Sequence, residues 1–211
     1  MLDIEYKGAN GLILATKGTA VVVDPKLSVV GLKDLKVDNA VELATEGRFL
    51  VDTGETRLVI EGPGEYEIGD FSIYGTAASR HLDTSDDEKR STIYRLEVGE
   101  IRIALLGNIA PKLTEDQLEA LGVVDLLILP VGGGGYTLDA TSAAVITRQI
   151  DPKVVIPVHY ADPAVQYEVP QDALEVFTKE LGAPVETTSK YKVKSAASLP
   201  ATLTVVEVSR N

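Results

Sequence analysis

Ile150-Asp151-Pro152-Lys153-Val154-Val155-Ile156-Pro157-Val158-His159-Tyr160 is the stretch on which the fold turns. Asp151-Pro152 ends whatever helix precedes it, because proline lacks the amide a helix needs and restricts the residue before it. The five apolar residues after Lys153 are too few for a core helix and have no polar face. They read as a strand buried on both sides, delivering His159 at its end. Residues 124–130, Val-Asp-Leu-Leu-Ile-Leu-Pro, repeat the form. A helix capped by Asp139 or Thr141 and running to Ile150 lies between them. Upstream, Thr114-Glu115-Asp116-Gln117 is a capping box opening a helix to about Leu121, with Gly122 as its stop. Downstream, residues 171–181 are amphipathic and helical, Gly182 stops them, and residues 203–208 form a closing strand.

The first half has the other rhythm. Residues 4–6, 11–16 and 19–24 are short apolar runs, with Lys17-Gly18 turning between the last two. Asp24-Pro25 closes the third. Residues 40–44, 49–52 and 57–61 read as further strands. Residues 66–68 and 71–77 pair across Gly69-Asp70, and residues 91–98 and 101–106 across Gly99-Glu100. Residues 82–90 are polar and form a surface loop. A β-rich half followed by alternating helix and strand predicts one domain, residues 1–211, with two packed mixed sheets and helices outside.

Composition narrows the function classes. A formal net charge of -12 repels phosphate backbones and anionic head groups, so neither nucleic acid nor a membrane surface is the expected partner. The densest basic run, Lys190-Tyr191-Lys192-Val193-Lys194, alternates as a solvated edge strand does. Without cysteine there are no disulfides and no thiolate metal sites. The first residues alternate as a strand, with no charged leader before an apolar run, and a cytoplasmic location is the expectation. Homo-oligomerisation stays open.

Read in order, several segments carry a likeness. They are Tyr6-Lys7-Gly8-Ala9-Asn10, Asp24-Pro25, Gly62-Pro63-Gly64-Glu65-Tyr66-Glu67, Gly107-Asn108-Ile109-Ala110, the run from Asp125 to Gly133, and the stretch ending in His159-Tyr160. Together they resemble the metallo-β-lactamase superfamily, in particular its compact branch of predicted zinc-dependent hydrolases related to ascorbate-6-phosphate lactonase. The resemblance spans roughly residues 1–160. It implies an α/β fold, a four-layer αββα sandwich with the metal site at one edge of the two sheets. It also implies a His-x-His-x-Asp-His motif after the strand at residues 39–44. Thr45-Glu46-Gly47-Arg48-Phe49 stands there instead, without a histidine. His81 falls at a later ligand position, Asn108 where a bridging aspartate is expected, and His159 at the last. The chain's only two histidines thus coincide with family metal positions.

A catalytic zinc needs about three protein ligands and one open position. His81 and His159 offer two, and Asp83, Asp24 or Glu46 could add a carboxylate. Against that, both histidines read as neutral residues lining an inherited cleft. Gly132 to Gly135 lacks the Gly-Lys-Ser/Thr of a phosphate loop, so it reads as a tight connection, with Tyr136 and Thr137 able to face a ligand. Glu65 and Glu67 share one strand face, a solvated one before a catalytic one. No Gly-x-Ser-x-Gly supports a serine nucleophile. The leading expectation is a catalytically degenerate fold member that works as a binding or assembly module, without a cofactor, with a small molecule or a protein as partner. The alternatives are a zinc hydrolase with a remodelled mononuclear site, acting on a small ester, lactone or phosphoester, and a metal-free small-molecule binder in the old cleft.

Overall fold

The structure of the protein is a computed structural model that describes residues 1–51, 54–83 and 89–211. Among these residues the strands form two sheets. The smaller runs in the order β13 (Tyr191–Val193), β1 (Leu2–Gly8), β2 (Gly11–Ala15), β3 (Ala20–Val23), β4 (Val41–Ala44), β5 (Leu58–Glu61). The larger runs β12 (Val185–Thr188), β14 (Thr204–Val208), β11 (Val154–Val158), β10 (Leu126–Pro130), β9 (Ile101–Leu105), β8 (Ser91–Val98), β7 (Phe71–Ala78), β6 (Gly64–Ile68). Both are mixed. β1, β2 and β3 are antiparallel hairpin neighbours, and β3, β4 and β5 run parallel. β6 to β9 are antiparallel, and β9, β10, β11, β14 and β12 are parallel.

The sandwich follows from the side-chain pattern. β1 buries Leu2, Ile4 and Tyr6 and turns Asp3, Glu5 and Lys7 outward, the period of two of a half-buried strand. β10 and β11 are buried at every position. Their alternate residues enter two cores. Ile128, Ile156 and Val158 meet Leu12, Leu14 and Leu43 of the facing sheet. Leu127, Leu129 and Val155 meet the helices α1 (Glu115–Leu121), α2 (Ala140–Ile150) and α3 (Leu174–Leu181). These α-helices thus flank the outer face of the larger sheet. On the outer face of the smaller sheet, Val22 and Glu42 are buried beneath the irregular segment 35–38. No helix among the described residues is long and apolar enough to cross a membrane.

Several boundaries differ from the sequence reading. Residues 49–52 do not form a strand in their described part. β4 is already paired on both edges, by β3 and β5, and Gly47–Phe49 turns as a single 3-10 turn that tucks Phe49 inward. Asp52 lies outside the described residues, as do residues 84–88 of the polar loop. Helix α3 begins at Leu174, not Gln171, because the Asp172 amide donates to Gly132 O at 2.7 Å and holds that segment extended. β12 is too polar for the hydrophobic pattern to reveal it. Asp139 is the cap of α2, its carboxylate accepting from the Ser142 amide at 2.7 Å.

One buried phenol ties the sheets together. Tyr94 of β8 is fully buried, and its hydroxyl donates to Ala44 O of β4 at 2.8 Å. Tyr94→Phe should therefore cost about 1–2 kcal/mol, and Tyr94→Ala about 3–5 kcal/mol. Urea unfolding of the three proteins checks this. A Tyr94→Phe variant as stable as the parent would show that the hydroxyl is not a tie.

Candidate functional site

One edge of the sandwich gathers the ends of strands from both sheets. Asp24 follows β3, Thr45 and Glu46 follow β4, Asn108 follows β9, Tyr136 lies beyond β10, and His159 follows β11. Ala9 and Asn10 make the turn between β1 and β2. Ala9, Asp24 and His159 have positive φ angles of 48°, 42° and 53°, an uncommon region for residues with a Cβ. Backbone bonds hold them there. The His159 amide donates to Ala9 O at 2.9 Å and the Asp24 amide to Leu43 O at 2.9 Å. Gly132 completes the approach: a Cβ there would overlap the His159 carbonyl oxygen, so β10 and β11 can end side by side only with glycine.

Buried charge dominates the floor. Asp24 accepts from the Thr45 amide at 2.7 Å and the Thr45 hydroxyl at 2.6 Å. Burial nevertheless pushes its carboxyl up to about 7, with the Thr45 bonds acting against that. Glu46 is 3% exposed and pairs with the Arg48 Nε at 2.8 Å and the Arg80 guanidinium at 3.7 Å. The Asn108 amide adds a third donor to Glu46, at 3.4 Å. Burial raises the Glu46 carboxyl above its ordinary value, and Arg48 and Arg80 oppose that rise. Asn108 in turn accepts from Asn10 Nδ2 at 3.2 Å.

Above this floor the walls are aromatic and aliphatic. The Arg48 guanidinium lies over Phe49 at 4.6 Å and over Tyr136 at 5.4 Å, and it also bonds the Tyr136 hydroxyl. Tyr136 stacks on His159 at 5.9 Å, and His159 meets Tyr167 at 4.7 Å. The Nδ1–H of His159 donates to Gln171 Oε1 at 3.1 Å, an orientation set by Gln171 Nε2 donating to Val169 O. That leaves Nε2 as the ring's acceptor. Burial pushes the His159 imidazole down to about 4, so the ring is neutral near pH 7. Together these groups enclose a cleft of about 70 Å³ whose lining includes Asn10, Asp24, Lys26, Arg48, Tyr136 and His159.

The sequence candidates divide. Asp24, Tyr136 and His159 line the cleft. Asn108 lies beneath it, and the His81 amide donates to Asn108 O at 3.0 Å. The His81 Nδ1 is buried with no hydrogen-bond partner among the described residues. Asp83 and Thr137 are not part of the cleft lining: Asp83 accepts from the Arg80 amide at 2.7 Å, and Thr137 is buried. Asn10, Lys26, Arg48, Tyr167 and Gln171 were not singled out as site residues by sequence. Two of them left a signal there: Asn10 ends one of the segments that carry the resemblance, and Arg48 stands where the resemblance expects the histidine motif.

A family model described as "Beta-lactamase superfamily domain" matches residues 3–159. The chain belongs to that family. Solved structures agree on the fold. A candidate Zn-dependent hydrolase of the metallo-β-lactamase superfamily from Thermotoga maritima superposes with a TM-score of 0.78 at 22% identity, covering 99% of this chain and 100% of that one. A metallo hydrolase from the hyperthermophilic archaeon Ignicoccus hospitalis gives 0.62 at 16% identity, with 99% and 95% covered. A candidate metal-dependent hydrolase from Parabacteroides distasonis gives 0.63 at 18% identity, with 99% and 94% covered.

The residues at this edge do not fit a dinuclear metal centre. Both Glu46 oxygens are engaged by cationic or amide donors, both Asp24 oxygens by Thr45, and Asn108 Oδ1 by Asn10. The Arg48 guanidinium stands among these acceptors and would repel a dication. Among the described residues no three His, Cys, Asp or Glu side chains group as a metal-binding set.

Two buried groups give opposite pH slopes. Asp24, raised from 3.8 to about 7, contributes stability that is full below about pH 4 and is lost as pH rises towards 7. His159, lowered from 6.5 to about 4, contributes stability that is full above pH 6.5 and is lost as pH falls towards 4. Over the shared window the two largely cancel, and single substitutions should unmask them. Relative to the parent, Asp24→Asn should gain stability from pH 4 to 7, and His159→Gln should gain it from pH 6.5 down to 4. Each gain should be on the order of 3 kcal/mol. Urea titrations across this range test both. Difference curves independent of pH would rule the assignment out.

Proposed function

We propose that this chain is a catalytically degenerate metallo-β-lactamase-fold protein whose strand-end cleft binds a ligand without metal-dependent hydrolysis. One observation carries the reading. Where the resemblance expects the densest set of metal ligands, Glu46 is already neutralised by the guanidinium groups of Arg48 and Arg80. Two fixed cations stand in for mobile ones. They satisfy the buried carboxylate but offer no open coordination position and no acidified water. His159 is neutral, with one nitrogen committed to Gln171, and is left to pack and accept a hydrogen bond.

A second reading keeps one metal. The unpartnered His81 Nδ1 and the acceptor Nε2 of His159 favour it, and the similar structures are described as metal-dependent hydrolases. Elemental analysis of protein purified without chelator separates the two. The proposed reading expects well under one zinc, iron or manganese per chain, and background hydrolysis of esters, lactones and phosphodiesters that His159→Ala does not change. About one metal per chain, with activity lost in both His81→Ala and His159→Ala, would establish the mononuclear hydrolase instead.

A further inference from the structure

Three features of the cleft each select a chemical group. The first is Asn10. It is 5% exposed, lines the cleft, and its Oδ1 has no hydrogen-bond partner among the described residues. Its orientation is not arbitrary. Glu46 can only accept, so Asn108 must present Nδ2 to it and Oδ1 to Asn10. Asn10 must then donate through Nδ2, which leaves its carbonyl oxygen as the unsatisfied group. A buried acceptor without a partner is costly, so this position calls for an N–H or O–H donor.

The second feature is positive charge. Lys26 lines the cleft, is half-buried, and has no carboxylate within ion-pair distance among the described residues. Arg48 lines it too, with a side chain 41% exposed that reaches from solvent to Glu46. Asp24, whose carboxyl burial raises to about 7, and Glu168 line the cleft as well, and Arg48 is shared with Glu46, so an anion's place is beside Lys26 and on the solvent-exposed side of Arg48.

The third is the apolar wall. Leu27, Val30 and Phe49 are buried along the cleft, and Val29 is 51% exposed at its lining. His159 and Tyr136 add flat aromatic faces. The space of about 70 Å³ is roughly half the 150 Å³ of an apolar cavity that takes benzene whole. It suits a single ring seated in part, with its substituents near the polar groups.

We propose that the cleft binds a single-ring aromatic acid carrying a hydrogen-bond donor. The carboxylate sits against Lys26 and Arg48, the ring against the aliphatic and aromatic wall, and the N–H or O–H on Asn10 Oδ1. The proposal rests on reading the cleft as a metal-free binding site, and it adds the ligand class.

The test uses 3- and 4-hydroxybenzoate as probes, with benzoate lacking the donor and phenol lacking the charge, titrated calorimetrically against the full chain. A hydroxybenzoate is expected to bind with a Kd at or below about 1 mM, and roughly tenfold tighter than benzoate or phenol. Lys26→Gln, at a half-exposed position, should weaken hydroxybenzoate about tenfold and leave phenol unchanged. Binding that does not distinguish the three compounds, binding indifferent to Lys26→Gln, or no binding of any probe would each overturn the ligand class. Metal content of the same sample reports separately on the metal-free reading. Negligible metal with no probe binding would defeat the ligand class alone, whereas stoichiometric metal lost in His159→Ala would defeat the reading beneath it.

Discussion

Thr45 is the suture on which the candidate site depends. Its amide and hydroxyl donate to Asp24, which joins the ends of β3 and β4. Its carbonyl accepts from the Thr92 amide at 2.8 Å and the Ser91 hydroxyl at 3.3 Å, which joins β4 to β8 of the other sheet. Sheets in a sandwich otherwise meet through side chains about 10 Å apart. Backbone bonding across the two therefore requires one strand end to bend over the other. Gly107 makes room for this, since a Cβ there would sit 2.5 Å from the Thr45 hydroxyl oxygen. The same approach buries Asp24, Glu46 and Asn108 together, and the chemistry of the edge follows from their shared loss of water.

That loss explains why the edge is built from pairs. A carboxylate removed from water costs several kcal/mol unless donors replace the solvent. Asp24 meets the requirement with two bonds from one neutral residue, and its carboxyl remains raised. Glu46 meets it with guanidinium groups brought from two places, Arg48 two residues away and Arg80 from beyond β7. In a hydrolytic family member the metals themselves would compensate buried acceptors of this kind. Here the positive charge that faces Glu46 belongs to two side chains, Arg48 and Arg80.

Much of the fold was legible in the linear sequence. The double-faced apolar runs of β10 and β11, the capping box at Thr114 and the hairpin of β8 and β9 are local signals, because burial on both faces, a four-residue hydrogen-bond pattern and a tight turn each leave a mark within a few residues. The failures were local as well. Residues 49–51 have strand-like side chains but no free strand edge to join. Gln171 and Asp172 have helix-compatible side chains but are drawn to the loop after β10. β12 is a polar edge strand held by pairing with β14, which no hydrophobic period announces.

The sequence by itself determined the sandwich, the ordered landmarks of the superfamily, a segment 45–49 without histidine and the placing of His159 at a strand end, since each is written in neighbouring residues. Only the tertiary structure decided what the edge can do. Asn10 and Asn108 are 98 residues apart and share a hydrogen bond, while Arg48 and Tyr136 are 88 apart and share another. Which carbonyl is left without a donor, which lysine without a carboxylate, and how far a carboxyl or an imidazole is shifted all depend on burial and on partners distant in the chain. Desolvation and pairing are properties of the packed space around a group, and that space exists only after the two sheets have closed.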